Sequence, residues 1–275
     1  MRYNQSKQTR KENAMKRTPI IADLSNYPEA FHPYLAGAKL YDSSCSPEAR
    51  VIYVERDGGY YLKSAQKGTL SLESRLGSYF NSKGLAPRVA EYLSLDEDWL
   101  LTERAKGEDL THQAYLDDPK RLCDVFAERL RHLHSLDTQG CPVPDRTSVY
   151  LQTVDQNYRT GNYDKSAFPD SFGFKTAEEA ITAVNAGCSG LHSDTLIHGD
   201  YCLPNVMFDN WSFTAFIDLG NGGVGDRHID IFWGVWTLWF NLKTNAYGDR
   251  FLDAYGRDAI DPVLLRTVAA CEVFG

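Results

Sequence analysis

The segment HGDYCLPN, residues 198–205, is followed eighteen positions after its aspartate by the carboxylate of IDLG, so His198, Asp200, Asn205 and Asp218 fall on two short stretches. A packed core has little use for such a set, whereas a site that handles a phosphate and a divalent cation has a use for each member. Phosphoryl transfer needs a carboxylate to orient an acceptor hydroxyl, and hard oxygen ligands to hold magnesium against the phosphates. Asp200, between a strand end and a loop, suits the first role. Asn205 and Asp218 suit the second, because one amide oxygen beside one carboxylate is enough when a nucleotide supplies most of the negative charge. The competing explanation is that these are turn-forming residues, common wherever loops bend. His198 is read as shaping the loop rather than titrating.

A second set lies upstream, in GYYLKS. Tyr61 and Lys63 are two apart on a strand, so their side chains share a face. A flat ring and an ammonium there would serve an adenine and the phosphates of a nucleotide. Lys63 needs an acid to hold it, and Glu73, between Leu72 and Leu76 on the next helix, is the candidate; an exposed strand lysine is the plainer alternative.

The elements that must position these groups follow from local pattern. AKLYD and ARVIYVER flank a turn-rich SSCSPE, and RDGG joins the second strand to GYYLKS as a hairpin. TLSLESRLGSYFNSKG then places Leu72, Leu76, Tyr79 and Phe80 on one helical face, with Gly84 closing the helix. RVAEYLSL and WLLTERA pair across DED, giving the order β-β-β-α-β-β. After Gly107 the chain reads as helical, and DPKRLCDVFAERLRHLHSL carries Leu122, Phe126, Leu130 and Leu133 as one stripe. Residues 160–175 read as loop, followed by the helix TAEEAITAV. TLIHGD and FTAFIDLG read as a buried hairpin-like pair with the polar set on their ends, and everything beyond Asp230 as helix or turn. The expected fold is α+β and bilobal, with a small β-rich N-lobe and a larger helical C-lobe.

Composition narrows the function classes. The 275 residues are 43% hydrophobic, enough for a sizeable core, and carry a formal net charge of −8. That balance argues against a nucleic-acid partner and fits small or cationic partners. Residues 1–17 hold six basic residues and one acid without an apolar signal-peptide core, and read as a disordered basic leader. The six cysteines show no CxxC pair, as expected of reduced core thiols in a cytoplasmic protein. IFWGVWTLWF, residues 231–240, is about half the length of a membrane span, so no membrane partner is expected.

The ordered set of strand lysine, helix glutamate, HxDxxxxN and DLG resembles the protein-kinase-like small-molecule phosphotransferases, and most closely the aminoglycoside 3'-phosphotransferase family. The resemblance runs from about Ala38 to the C-terminus and is densest in LIHGDYCLPNVMFDNWSFTAFIDLGNGGVGDRHIDI; LHSLD and the terminal EVF also look familial. It implies a protein-kinase-like fold, with a nucleotide-binding lobe at 18–104, a hinge near 101–106 and a catalytic and acceptor-binding lobe at 105–275. It implies ATP or GTP as co-substrate, Mg2+ as the metal, and a small-molecule hydroxyl acceptor, in a monomer or weak dimer. By that likeness Asp200 is catalytic, Asn205 and Asp218 hold the metal, and Lys63 pairs with Glu73. Tyr61 would stack on adenine and Ser46 would touch the phosphates. The hinge LLTERA would bring Thr102, Glu103 and Ala105 to the nucleotide, and Asp230 would brace the catalytic loop through its backbone.

The sequence departs from the family in the acceptor half. Phe240 and Asn241 stand where an acidic pair is usual, Cys271 stands where an aspartate is typical, and Asn221 replaces the arginine of DLGR. Asp164, Asp170 and Glu272 remain as candidate contacts to acceptor amines. Trp233, Trp236 and Trp239 are three apart on a helix, and serve either as core or as an aromatic wall against the acceptor. Kanamycin- and neomycin-type compounds are therefore expected to be poor substrates. Among the remaining polar residues, His134 is expected to make a structural hydrogen bond, and Asp226 with Arg227 a surface ion pair.

Overall fold

The computed structural model describes residues 17–163, apart from positions 22, 46 and 48, and residues 173–275. The first part runs β1 (Thr18–Ile20), α1 (His32–Leu35), β2 (Lys39–Asp42), β3 (Ala49–Glu55), β4 (Tyr60–Gln66), α2 (Ser71–Ser82), β5 (Val89–Ser94), β6 (Glu97–Glu103) and β7 (Glu108–Asp109). The middle holds α3 (Gln113–Leu116), α4 (Pro119–His134), α5 (Arg146–Thr160) and α6 (Ala177–Gly187). Then come β8 (Thr195–Ile197), β9 (Val206–Asp209), β10 (Ser212–Phe216), β11 (Gly223–Gly225), α7 (Arg227–Leu242), α8 (Gly248–Tyr255) and α9 (Pro262–Cys271).

Two compact units result. The first takes the described residues up to His112 together with Val206–Gly220; the second takes Gln113–Asn205 and Asn221–Gly275. In the first, an antiparallel sheet has the order β1-β2-β3-β4-β6-β5. The β3–β4 hairpin turns through Asp57, Gly58 and Gly59, all at positive φ. A Cβ on Gly59 would come within 2.9 Å of the Tyr53 ring, so position 59 needs glycine twice over. Leu40, Ile52, Val54, Leu62 and Leu101 point to one face and pack on Tyr27, Phe31 and Leu35. Strand alternation sends Tyr53, Tyr61 and Lys63 to the other face.

Helix α2 buries Leu76 and Phe80 of the expected stripe together with Ser74, while Leu72 and Tyr79 are only half-buried. Phe80 meets Phe216 edge-on at 6.4 Å. That contact ties α2 to the β9–β10 hairpin, whose turn residues Asn210 and Trp211 both take positive φ.

Two expected features are overturned. TLI and FTAF do not form a pair: β8 pairs with β11, Leu196 opposite Val224, and β10 pairs with β9. Gly223–Gly225 carries no side-chain signal for a strand, so its partnership with β8 is invisible in the sequence. The chain also does not turn helical directly after Gly107, because β7 first adds to β9 at Glu108 and Asp109.

In the second unit α4 buries Leu122, Phe126, Leu130 and Leu133 completely, each such side chain stabilising by about 1.5–3 kcal/mol. Phe126 stacks on Tyr201 at 4.4 Å, which anchors the loop after β8 to α4. Helix α5 begins at the Asp145 cap and ends on Gly161 in the left-handed region. It packs Val154 against Ala180, Val184, Ala270 and Phe274. Among the described residues no helix is long and apolar enough to cross a membrane. Cys123, Cys202 and Cys271 are buried thiols, but Cys45 is exposed, so the cysteines are not uniformly core residues.

Candidate active site

In the first unit Lys63 Nζ lies 2.9 Å from Glu73 Oε2 and 2.8 Å from Asp218 Oδ1. Strand β4 aims the lysine and α2 supplies the glutamate. Asp218, just past β10, takes φ 59°, in the left-handed region that few residues other than glycine, asparagine and aspartate enter. Lys63 and Glu73 are mostly buried while half of Asp218 faces solvent. Burial works against the ammonium, but the two carboxylates outweigh it and hold Lys63 well above the ordinary lysine range. Burial and the charge of Asp218 push Glu73 upward, with Lys63 opposing. One ammonium thus faces two carboxylates, and the surplus negative charge is on the more exposed one. Such a surface suits a hard cation.

Beside this cluster, Tyr61 pairs directly with Tyr53 on β3, rings 5.2 Å apart, and with Thr102 on β6. Thr102 and Glu103 end β6, where Glu103 also meets Arg88 at 2.7 Å; Ala105 packs on Met207 and Ala215. Ser46 lies outside the described residues, as do Asp164 and Asp170.

In the second unit the loop after β8 is clamped by Asp230, a fully buried aspartate in the first turn of α7. Asp230 accepts from the His198 and Gly199 backbone N–H groups, both at 2.7 Å, and from His134 Nε2 at 3.2 Å. His134 is held in turn by the Tyr255 hydroxyl at 2.9 Å. Gly199 takes φ 80°, and a Cβ there would meet the Asn221 carbonyl oxygen at 1.8 Å, so only glycine fits. Arg146 donates to the side-chain oxygen of the same residue, Asn221 Oδ1, at 2.8 Å. Asp200, next in line, donates its N–H to His198 Nδ1. Asn205 donates through Nδ2 to the Asp200 carbonyl at 2.9 Å and to its Oδ2 at 3.0 Å. With Nδ2 spent on Asp200, the oxygen of the Asn205 amide is the atom a hard metal would take.

Asp226 and Arg227 do not form the expected surface ion pair. Asp226 is buried, caps α7 and bonds His228 Nδ1 at 2.7 Å, while Arg227 reaches Thr195. The helix start recruits the aspartate as its cap, which removes it from the surface.

Residues 46–266 match the phosphotransferase enzyme family, APH. A probable aminoglycoside 3'-phosphotransferase of Lactococcus lactis subsp. lactis is 47% identical over 92% of this chain and 97% of its own length. An aminoglycoside 3'-phosphotransferase of Niallia circulans is 30% identical over 75% of this chain and 79% of its own. The chain belongs to this family. It is a phosphotransferase acting on hydroxyl groups. In fold it is similar to a crystal structure of an aminoglycoside-3'-phosphotransferase of type VIII, with a TM-score of 0.74 and 23% identity, covering 90% of this chain and 97% of that one. That likeness bears out the kinase-like α+β fold.

Family membership directs attention to the chain's end. Glu272 caps α9 and accepts from the Tyr150 hydroxyl at 2.8 Å and from the Trp233 indole. Burial pushes its carboxyl up to about 7, and the charge of Asp200 acts in the same direction. Trp236 is buried and stacked on Phe240 at 5.0 Å, so it is core, whereas Trp233 and Trp239 keep part of their rings exposed. Asn241 turns back to Thr237, and Cys271 is buried. Tyr150 and Arg146 were missed from sequence because α5 is a mostly polar helix. The signal available was its pair of ends, Asp145 and Gly161.

Proposed function

We propose that this phosphotransferase moves the γ-phosphate of ATP or GTP to a hydroxyl of an aminoglycoside or related aminosugar. The observation that carries the nucleotide half is Lys63 between two carboxylates, one of them half-exposed. In this reading Lys63, held by Glu73, neutralises phosphate oxygens, and Tyr61 stacks on the base with Thr102, Glu103 and Ala105 alongside. Asp218 and the Asn205 amide oxygen hold Mg2+, which would neutralise charge developing on the phosphates. Asp200 orients the acceptor hydroxyl and takes its proton, its carboxylate steadied by Asn205 and its loop by Asp230. Glu272 anchors an acceptor amine, with Asp164, Asp170, Asn221 and Trp239 as further contacts.

The aminoglycoside assignment takes support from the names of the relatives and from a structural neighbour described in complex with AMP-PNP and hygromycin B. We read the protein as cytoplasmic, a monomer or weak dimer without nucleic-acid or membrane partners. A second reading, transfer to another small alcohol such as a sugar, amino alcohol or macrolide, draws on Phe240, Asn241 and Cys271 standing where the family carries acids.

The test is Mg2+-dependent turnover of ATP and GTP over aminoglycosides, macrolides, amino alcohols and simple sugars, with the phosphorylated product identified by mass spectrometry. Aminoglycoside-dependent turnover supports the first reading. Turnover only with a neutral alcohol replaces it by the second, and nucleotide turnover with no acceptor product refutes both.

A further inference from the structure

Strand β1 adds to the sheet edge with Thr18 opposite Asp42 and Ile20 opposite Leu40. That register delivers Arg17 to the level of Ser43, whose N–H bonds the Val51 carbonyl, and Val51 lies opposite Lys63. Arg17 and Lys63 therefore belong to the same cross-strand row. The Arg17 guanidinium lies 3.7 Å over the Tyr53 ring, and its Nη2 donates to the Tyr61 hydroxyl at 3.0 Å. Both tyrosines share the face of Lys63, and Tyr41 extends the row of rings, 6.0 Å from Tyr53.

A guanidinium stacked on an aromatic ring is pre-organised, because stacking leaves its in-plane N–H donors pointing outward. Here one donor is used by Tyr61. No carboxylate among the described residues pairs with Arg17, and the side chain is exposed. Lys63, by contrast, already faces two carboxylates. A nucleotide triphosphate brings several negative charges to this face, and Arg17 is a cation there that no carboxylate among the described residues matches.

We propose that Arg17 is a further binding residue of the nucleotide site, its guanidinium held by Tyr53 and Tyr61 to meet anionic oxygens of the bound nucleotide. The inference rests on the reading of the Tyr61–Lys63 face as the nucleotide face. The alternative role, a staple that only secures β1, predicts lost stability with unchanged nucleotide affinity.

The experiment uses the full chain and titrates Mg2+-ATP and adenosine into wild type, Arg17→Ala, Arg17→Lys and Lys63→Ala, with steady-state kinetics and melting curves alongside. Loss of one charge-assisted contact at an exposed position should weaken ATP binding by about five- to thirtyfold. The Arg17→Ala loss should appear in the nucleotide KM, with kcat at saturating nucleotide changing less than twofold. It should shrink at high salt and be absent for adenosine; Arg17→Lys should recover part of it. Unchanged ATP affinity with a lowered Tm makes Arg17 a staple and overturns the proposal. Tighter ATP binding in Arg17→Ala overturns it too, since the residue would then be covering the face. If Lys63→Ala loses ATP binding and Arg17→Ala does not, only the present inference falls. If Lys63→Ala binds ATP as the wild type does, the nucleotide reading of this face falls with it.

Discussion

Replacing Glu272 by glutamine should stabilise the protein at alkaline pH and remove the pH dependence of acceptor binding. Glu272 is packed against Tyr150 from α5 and Trp233 from α7, next to Cys271, and within the field of Asp200. Desolvation and Asp200 raise its carboxyl to about 7, and the two donors offset them only in part. Below the unfolded value of 4.5 the group is protonated in both states and costs nothing. As the pH climbs toward 7 the unfolded chain releases the proton and the folded one keeps it, so stability drains away over that window. Above 7 the loss stays constant, at about 3 kcal/mol from 1.36 kcal/mol per unit. Glutamine has no proton to lose. Urea midpoints should therefore favour Glu272→Gln by about 2–3 kcal/mol at pH 8 and by less than about 1 kcal/mol at pH 5.

The same carboxylate is the proposed anchor for an acceptor amine, so the stability lost at alkaline pH has a functional counterpart. An ammonium binds only the ionised form. The wild-type KM for kanamycin should fall about tenfold between pH 6 and pH 8 as Glu272 ionises. Glu272→Gln should show a raised KM without that fall; amines of kanamycin that titrate in the same range affect both proteins alike, so the comparison removes them. Parallel KM profiles in the two proteins would refute the acceptor role of Glu272, and parallel stability profiles would refute its raised pKa.

Three further outcomes are expected. Asp200→Ala should lower transfer by about 10²–10⁴ while nucleotide affinity stays near wild type; wild-type turnover in this variant would remove the central claim. Asp218→Asn should weaken the Mg2+ dependence of nucleotide binding, measured by titration with and without the metal, and an unchanged dependence would make Asp218 a turn residue only. Lys63→Ala and Glu73→Ala should be strongly non-additive, because losing either partner already destroys the pair at 2.9 Å; additive losses in a double-mutant cycle would place the two residues in separate environments.

What could be read from the sequence depended on how far apart in the chain the partners lie. The α4 stripe was legible because one helix's own period puts Leu122, Phe126, Leu130 and Leu133 on the buried side. The β3–β4 hairpin was legible because two glycines in its loop adopt positive φ. Lys63 and Glu73 are ten positions apart on neighbouring elements, and their pairing is what an amphipathic helix following a strand lysine implies. The β8–β11 pair was not legible, since a three-residue apolar run does not specify its partner and Gly223–Gly225 offers no pattern. Tyr150 with Glu272 and Arg146 with Asn221 were hidden for a related reason. Each joins the polar helix α5 to a residue more than seventy positions away, so only packing brings them together. The departures from the family share this origin. Phe240 and Cys271 read as lost acids when each position is taken alone; in the fold, the Phe240 ring stacks on Trp236 and the Cys271 side chain is buried next in the chain to Glu272. An acidic partner at 271 would have raised Glu272 further still by like-charge repulsion. Its replacement by cysteine leaves a single carboxyl that can still ionise near neutral pH, which is the property the acceptor prediction tests.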